Sequence, residues 1–224
     1  LLVEELPAPE PIEALLGRLD SGDLVARRVC LNTGEVSLHP GEGRAELLVS
    51  EDAVVKVFGS AWHLLLVGDG QLARILATMA RLLDYRVTIC DPREAFADPF
   101  PLPDVSYSRL PPDEAVGSLA RGPRSAVITL AHDPKQDDLA LLEALPSRAF
   151  YVGALGSRRT AAARLGRLTQ MGLTQTQIDR LRGPAGLPIG SKRPAEIALS
   201  ILAEVTAVRN GLVVREAAGS AEPP

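Results

Sequence analysis

Cysteine and histidine are scarce in this sequence, with two and three copies among 224 residues. Cys30 and Cys90 cannot build a disulfide framework, and Cys90, inside an apolar run, reads as a small buried hydrophobe. His39, His63 and His132 stand far apart and no CxxC, HxxxH or HExxH spacing occurs, which argues against a zinc site. Aromatic residues are 4% of the chain, so the core has to be aliphatic. A net charge of -4 with no basic stripe and no interleaved aromatics argues against a nucleic-acid partner. No apolar run reaches the roughly 18 residues that span a bilayer, and no signal-peptide pattern opens the chain. The expectation is a cytoplasmic protein with no integral membrane segment. The chain starts on Leu1 rather than Met, in the strand-like LLVEEL, and reads as a fragment of a longer one.

What is present is ordinary globular material: 46% hydrophobic and 23% charged residues, enough for a core of useful size. Its texture changes along the chain. Residues 1–60 hold one short helix, IEALLGRL, and strand signals in LVARRVCL, EVSLH, AELLVS and AVVKVF, separated by turn residues. They predict a small α+β segment, part of an N-terminal domain. From residue 61 to 215, strands alternate with helices, the pattern of a parallel sheet. HLLLV is continuously apolar, as a strand buried on both faces must be. Helices are expected at Gln71–Leu83, Ser157–Met171 and Pro194–Arg209, with Leu72, Ile75, Leu76, Met79 and Leu83 on the inner face of the first. Ala97–Pro112, rich in proline, predicts an irregular excursion, and residues 216–224 a disordered tail. The fold class is therefore α/β: a Rossmann-like parallel sheet flanked by helices, with a small N-terminal α+β segment.

The sharpest chemical signal is LLLVGDGQLAR. Gly68-x-Gly70-x-x-Ala73 follows an apolar strand and opens a helix, the context a dinucleotide fingerprint requires. Gly68 would allow the tight turn, Gly70 the approach of a pyrophosphate, and Ala73 close packing of helix on strand. The N–H groups of the helix start would attract the anion. Asp91, at the end of the second strand, stands where an acid accepts from a ribose hydroxyl, and Arg93 could favour an additional phosphate. The plain alternative is a strand–helix turn with no ligand. Asp69, in the middle of the loop, would repel a pyrophosphate unless it points away, which counts against ordinary NAD binding.

Three further stretches offer contacts. In YVGALGSRRT, Gly153 ends a strand, Ser157 is a natural N-cap, and Arg158 and Arg159 oppose the helix dipole unless an anion sits nearby; the alternative pairs them with surface carboxylates. In ITLAHDPKQDD, Thr129, His132 and Asp133 lie at a strand's carboxyl end, where open α/β sheets bind ligands. A turn at Asp133-Pro134 would explain the same residues without function. In GPAGLPIGSKRP, Lys192 leads into a helix start as a possible phosphate contact or as part of a solvated basic turn.

Taken in order, VGDGQLAR, YRVTICDPREAF, LAHDPKQDD, FYVGALGSRRT and GPAGLPIGSKRPAEIALSILAEVTAVRNG resemble the xanthine dehydrogenase accessory family, XdhC/CoxI, from about Leu64 to Gly211. The resemblance implies a non-catalytic maturation factor that binds molybdenum cofactor, as molybdopterin or its dinucleotide form, and protects it during sulfuration. It also implies two partners, a sulfur-donating desulfurase and a xanthine dehydrogenase-type molybdenum hydroxylase that receives the cofactor. Homo-oligomerisation is expected of such a fold. Two departures stand out. Many members have Gly-Ala-Gly-His where this chain has Gly68-Asp69-Gly70-Gln71, so the histidine's role does not carry to Gln71. A glycine-rich, cysteine-bearing N-terminal stretch of the family is not in this sequence. The residues themselves leave a rival reading, an NAD(P)-dependent oxidoreductase using the same site, with His132 and Asp133 as the one candidate proton-transfer pair. They also leave a third, a docking module that has lost its ligand.

Overall fold

The computed structural model describes residues 10–20, 23–41, 47–59, 61–93, 101–120, 122–131 and 133–212. The chain divides into two compact units, Leu1–Ser60 and Ala61–Pro224. In the first, helix α1 (Glu10–Asp20) precedes β1 (Val25–Cys30), β2 (Val36–Pro40), β3 (Leu47–Val49) and β4 (Ala53–Phe58). These strands make an antiparallel sheet in the order β2-β1-β4-β3. Val25, Val29, Ala53 and Val57 are buried along it, together with Leu15 of α1.

The second unit runs β5 (His63–Val67), α2 (Gln71–Arg81), β6 (Arg86–Cys90), β7 (Val105–Ser108), α3 (Pro112–Leu119), β8 (Ser125–Thr129), α4 (Pro134–Ala144), β9 (Tyr151–Ala154), α5 (Arg158–Gln170), α6 (Gln175–Ile178), β10 (Leu181–Arg182) and α7 (Pro194–Arg209). Its six strands are all parallel, in the order β10-β9-β8-β5-β6-β7. Counted outward from β5, this is the doubly wound Rossmann order, which reverses between β5 and β8. The continuous apolar run of β5 has the expected consequence. Leu64 and Leu66 pack into one core, with α2 and α7, while Leu65 and Val67 pack into the other, with α3 and α4. At the amino end of this strand, Trp62 meets Phe150 edge-to-face and lies within stacking distance of Arg124 and Arg209.

Two expectations need adjustment. Within the proline-rich 97–112 stretch, Val105–Ser108 is not irregular; it is an edge strand paired with β6. Flanking prolines confine it to four residues, too few for its alternation to be heard in sequence. The inner face of α2 is also built from smaller side chains than the apolar stripe suggests: Ala73, Leu76, Ala77 and Ala80 are buried, Leu72, Ile75 and Met79 pack against the same core partly buried, and Leu83, beyond the helix end, is 37% exposed. Small side chains let the helix lie close to the sheet, and the larger ones flank the contact. The expected tail, 216–224, falls outside the described residues. Among those residues no helix is long and apolar enough to cross a membrane.

Candidate functional site

Sheet register builds the site. Val67 is level with Cys90 on one side and with Thr129 on the other, and Thr129 is level with Ala154. The next residues, Gly68, Asp91, Leu130 and Leu155, therefore leave the sheet side by side at its carboxyl edge, at the point where strand order reverses. A cleft of about 560 Å³ opens there. The loop Gly68–Gly70 and the start of α2 form one wall, Leu130, Ala131 and Asp133 another; Arg93, Leu155, Pro194 and Ile197 complete it.

The two glycines of the loop do different work. Gly68 has φ +106°, and a Cβ there would lie 2.6 Å from the Cα of Ala131, so backbone conformation and close loop packing both require glycine. Gly70 has an extended backbone, φ -167° and ψ 177°, which any residue adopts. A Cβ on Gly70 would meet nothing within 4 Å. What the missing side chain provides is open space directly over the start of α2. That helix has no side-chain N-cap and no acid in its first turn, so its leading N–H groups have no partner within the helix.

The starts of α4 and α5 are closed by the chain itself. Asp133 caps α4 by accepting from the Lys135 amide at 3.0 Å, which is the turn reading of Asp133-Pro134. Ser157 caps α5, accepting from the Thr160 amide at 3.1 Å. At α7, where Arg193 makes no side-chain cap, the Glu196 carboxylate instead reaches back to the Lys192 and Arg193 amides just ahead of the helix, at 2.9 and 3.0 Å. Those two amide hydrogen bonds hold the Glu196 carboxyl below its usual range. Lys192 is exposed and its amide is thus engaged by a carboxylate.

Asp91 is only 2% exposed. One of its oxygens accepts from the Asp69 amide (2.9 Å) and an Arg93 guanidinium nitrogen (2.8 Å); the other accepts from the Arg93 amide (3.1 Å) and Nε (2.9 Å). A carboxylate offers about four lone-pair positions, and here protein donors take them all. Burial pushes this carboxyl up, but the Arg93 fork and the two amides outweigh it and hold it below its ordinary value. Asp91 thereby ties the glycine loop to the end of β6, and it does not line the cleft; Arg93 does.

A second tie holds the opposite wall. Asp137 of α4 accepts from the Ala131 amide at 3.2 Å and from Arg164 of α5 at 2.8 Å. Arg164 also donates to the Leu155 carbonyl at 3.2 Å. Both side chains of this pair are buried, at 3% and 4% exposure. Asp138 lies beside them, paired with Arg167. Burial pushes the Asp137 carboxyl up, opposed by the Ala131 amide and Arg164 and reinforced by Asp138.

Of the residues singled out in the sequence, Gly68, Asp69, Gly70, Gln71, Ala73, Arg93 and Asp133 line the cleft. Thr129 is fully buried at the end of β8, and Gly153 is a packing glycine: its Cβ position lies 2.6 Å from the Tyr151 ring. Tyr151 in turn donates to Glu204 at 2.6 Å. Ser157 and Arg158 are exposed at the start of α5 and, with Lys192, stand outside the cleft lining. His132 lies outside the described residues, between two that line the cleft. Sequence reasoning missed the apolar lining of Leu130, Leu155, Pro194 and Ile197, and the Asp137–Arg164 tie. Leu155 lay within a motif already singled out, but a lone leucine there carries no chemical signal. Among the described residues no group of three or more His, Cys, Asp or Glu is placed to hold a metal ion.

Comparison with known proteins supplies the relatives. In Escherichia coli K12, the uncharacterised protein YqeB is 31% identical over 158 residues, 70% of this chain and 29% of its own length. From the same organism, the molybdenum cofactor insertion chaperone PaoD is 39% identical over 85 residues, 38% of this chain and 27% of PaoD. The matches thus cover less than a third of either relative. A xanthine dehydrogenase structure from Bacillus halodurans shares the fold, with a TM-score of 0.66 at 20% identity, over 91% of this chain and 68% of that one. Residues 64–205 match the model of the XdhC Rossmann domain, the stretch that carries the glycine loop and all the described residues that line the cleft. The chain belongs to the XdhC family.

Proposed function

We propose that this chain holds molybdenum cofactor, as molybdopterin or its dinucleotide form, and hands it to a xanthine dehydrogenase-type molybdenum hydroxylase. The observation that carries the reading is the open start of α2 beneath Gly70. It is a cradle for a phosphate that a single Cβ would narrow, bordered by apolar side chains suited to a flat heterocycle. PaoD, named as a molybdenum cofactor insertion chaperone, supports the same reading through its matching segment. In this role Gly70, Gln71 and the leading amides of α2 receive the phosphate. Leu130, Leu155 and Ile197 cover the ring system. Arg93 contributes positive charge at the rim, against Asp69 and Asp133. The phosphate therefore rests chiefly on backbone N–H groups. The molybdenum and its dithiolene are cargo, and no step of their chemistry is assigned to this chain. A sulfur-donating desulfurase is the partner proposed to act before delivery.

The test is retention of released molybdenum cofactor by the purified chain through ultrafiltration, quantified as pterin fluorescence after oxidation. Retention near one equivalent, abolished by Gly70→Asp, is expected, because that carboxylate would fill the cradle and repel the phosphate. No pterin retained, together with saturable NAD or NADP binding, would replace the reading with the oxidoreductase.

A further inference from the structure

We infer that Arg93 sets the ligand specificity of the cleft: by holding both oxygens of Asp91 it excludes cofactors recognised through a ribose diol and leaves the cleft selective for a phosphate ester seated at Gly70. The inference deepens the proposed function and rests on the cleft being a cofactor site.

In dinucleotide-binding Rossmann domains the acid that ends the second strand accepts hydrogen bonds from the ribose hydroxyls of the nucleotide. Asp91 occupies that place here: β6 is the strand after α2, and Asp91 follows Cys90 at its carboxyl end. Its acceptor sites are nonetheless filled from within the protein. The guanidinium supplies one bond to each oxygen, at 2.9 and 2.8 Å, and the amides of Asp69 and Arg93 supply the others. The Arg93 guanidinium belongs to a residue that lines the cleft, whereas Asp91 is 2% exposed and does not reach it.

Removing the Arg93 side chain would therefore do two things. It would free one lone-pair position on each Asp91 oxygen while both amides stay bound, which is the acceptor pattern two adjacent hydroxyls need. It would also uncover the carboxylate on the cleft side. In the natural chain, a ribose diol arriving at this place meets an acceptor already saturated by a bidentate charged partner. Such a fork is about twice as strong as neutral hydrogen bonds, and two hydroxyls do not displace it on equal terms. A phosphate ester seated at the α2 start has no need of Asp91.

The experiment uses NAD and ADP-ribose as probes, with affinities measured by calorimetry on the chain, on Arg93→Ala and Arg93→Gln, on Asp91→Asn alone, and on Arg93→Ala combined with Asp91→Asn. The chain itself should bind both probes weakly. Each single variant should tighten NAD and ADP-ribose at least tenfold, and Asp91→Asn should abolish that gain. Circular dichroism identifies a variant that fails to fold, and the second substitution at Arg93 then carries the result. Tight NAD binding by the unaltered chain that Asp91→Asn weakens would overturn the inference, since the fork would be shown to open. Folded Arg93 variants with no gain for either probe would overturn it as well. Pterin retention is read separately on the unaltered chain, so loss of the cofactor reading and loss of the specificity reading give different patterns.

Discussion

Two walls of the cleft are held by the same device built in different ways. On each, a carboxylate at the sheet's carboxyl edge accepts a loop amide and an arginine: Asp91 takes Asp69 and Arg93, and Asp137 takes Ala131 and Arg164. The Asp91 partner is two residues away in sequence, and its side chain is 31% exposed at the cavity. The Asp137 partner comes from another helix, 27 residues on, and is 3% exposed. A local pair at a cavity rim can be rearranged without disturbing the fold. A remote, buried pair joins α4 to α5 and to the Leu155 carbonyl, so opening it separates elements. The first suits selection among ligands and the second suits rigidity.

That contrast can be broken most forcefully at Asp137. Asp137→Ala should cost about 3–5 kcal/mol, because Arg164 would be left buried without its main partner; urea unfolding checks this, and a loss below about 1 kcal/mol would show the pair to be dispensable. Next in size is the difference between the loop glycines. Gly68→Ala should cost about 1–3 kcal/mol through its left-handed backbone and the collision with Ala131. Gly70→Ala should leave stability within about 0.5 kcal/mol yet lower pterin retention. Equal effects of the two on unfolding would remove the distinction. The smallest effect is in pH. The folded carboxyl of Asp91 is lowered, so its contribution is present above the ordinary carboxylate pKa and is lost as pH falls through the folded value. Asp137 is raised, so its contribution is full below the ordinary value and is lost as pH rises through the folded one. Going from pH 6 to pH 3, the stability advantage over Asp91→Asn should shrink and that over Asp137→Asn should grow. Parallel slopes would mean that the two sites do not differ electrostatically.

Much of this was legible beforehand, for identifiable reasons. HLLLV announces a strand buried on both faces, and Gly68-x-Gly70 after it announces a helix start at the sheet edge; both are local signals. Helix α4 was not foreseen, because Asp137 and Asp138 are charged residues on its buried side and spoil its apolar stripe. Their partners lie 27 and 29 residues away, and no sequence window contains both halves of such a pair. Asp91 was found by position, but its role depends on where the Arg93 fork turns, and a sequence does not record that. Gly153 sits in a stretch whose sequence points to ligand contacts, but the structure's reason for a glycine there is the Tyr151 ring two residues earlier, a side-chain placement that the strand's alternation implies only once the strand is known.

The uncapped start of α2 has a consequence for timing. An anion held chiefly by backbone dipoles leaves no buried cation stranded when it departs, so dissociation need not pass through an exposed, uncompensated charge. Nor does arrival have to evict an internal competitor, as it would at α4 and α5, where Asp133 and Ser157 already sit on leading amides. In the proposed role, loading and unloading would both proceed without a side chain having to move at that end of the ligand. For the cofactor carrier proposed above, fast exchange at the anchoring point would matter as much as affinity.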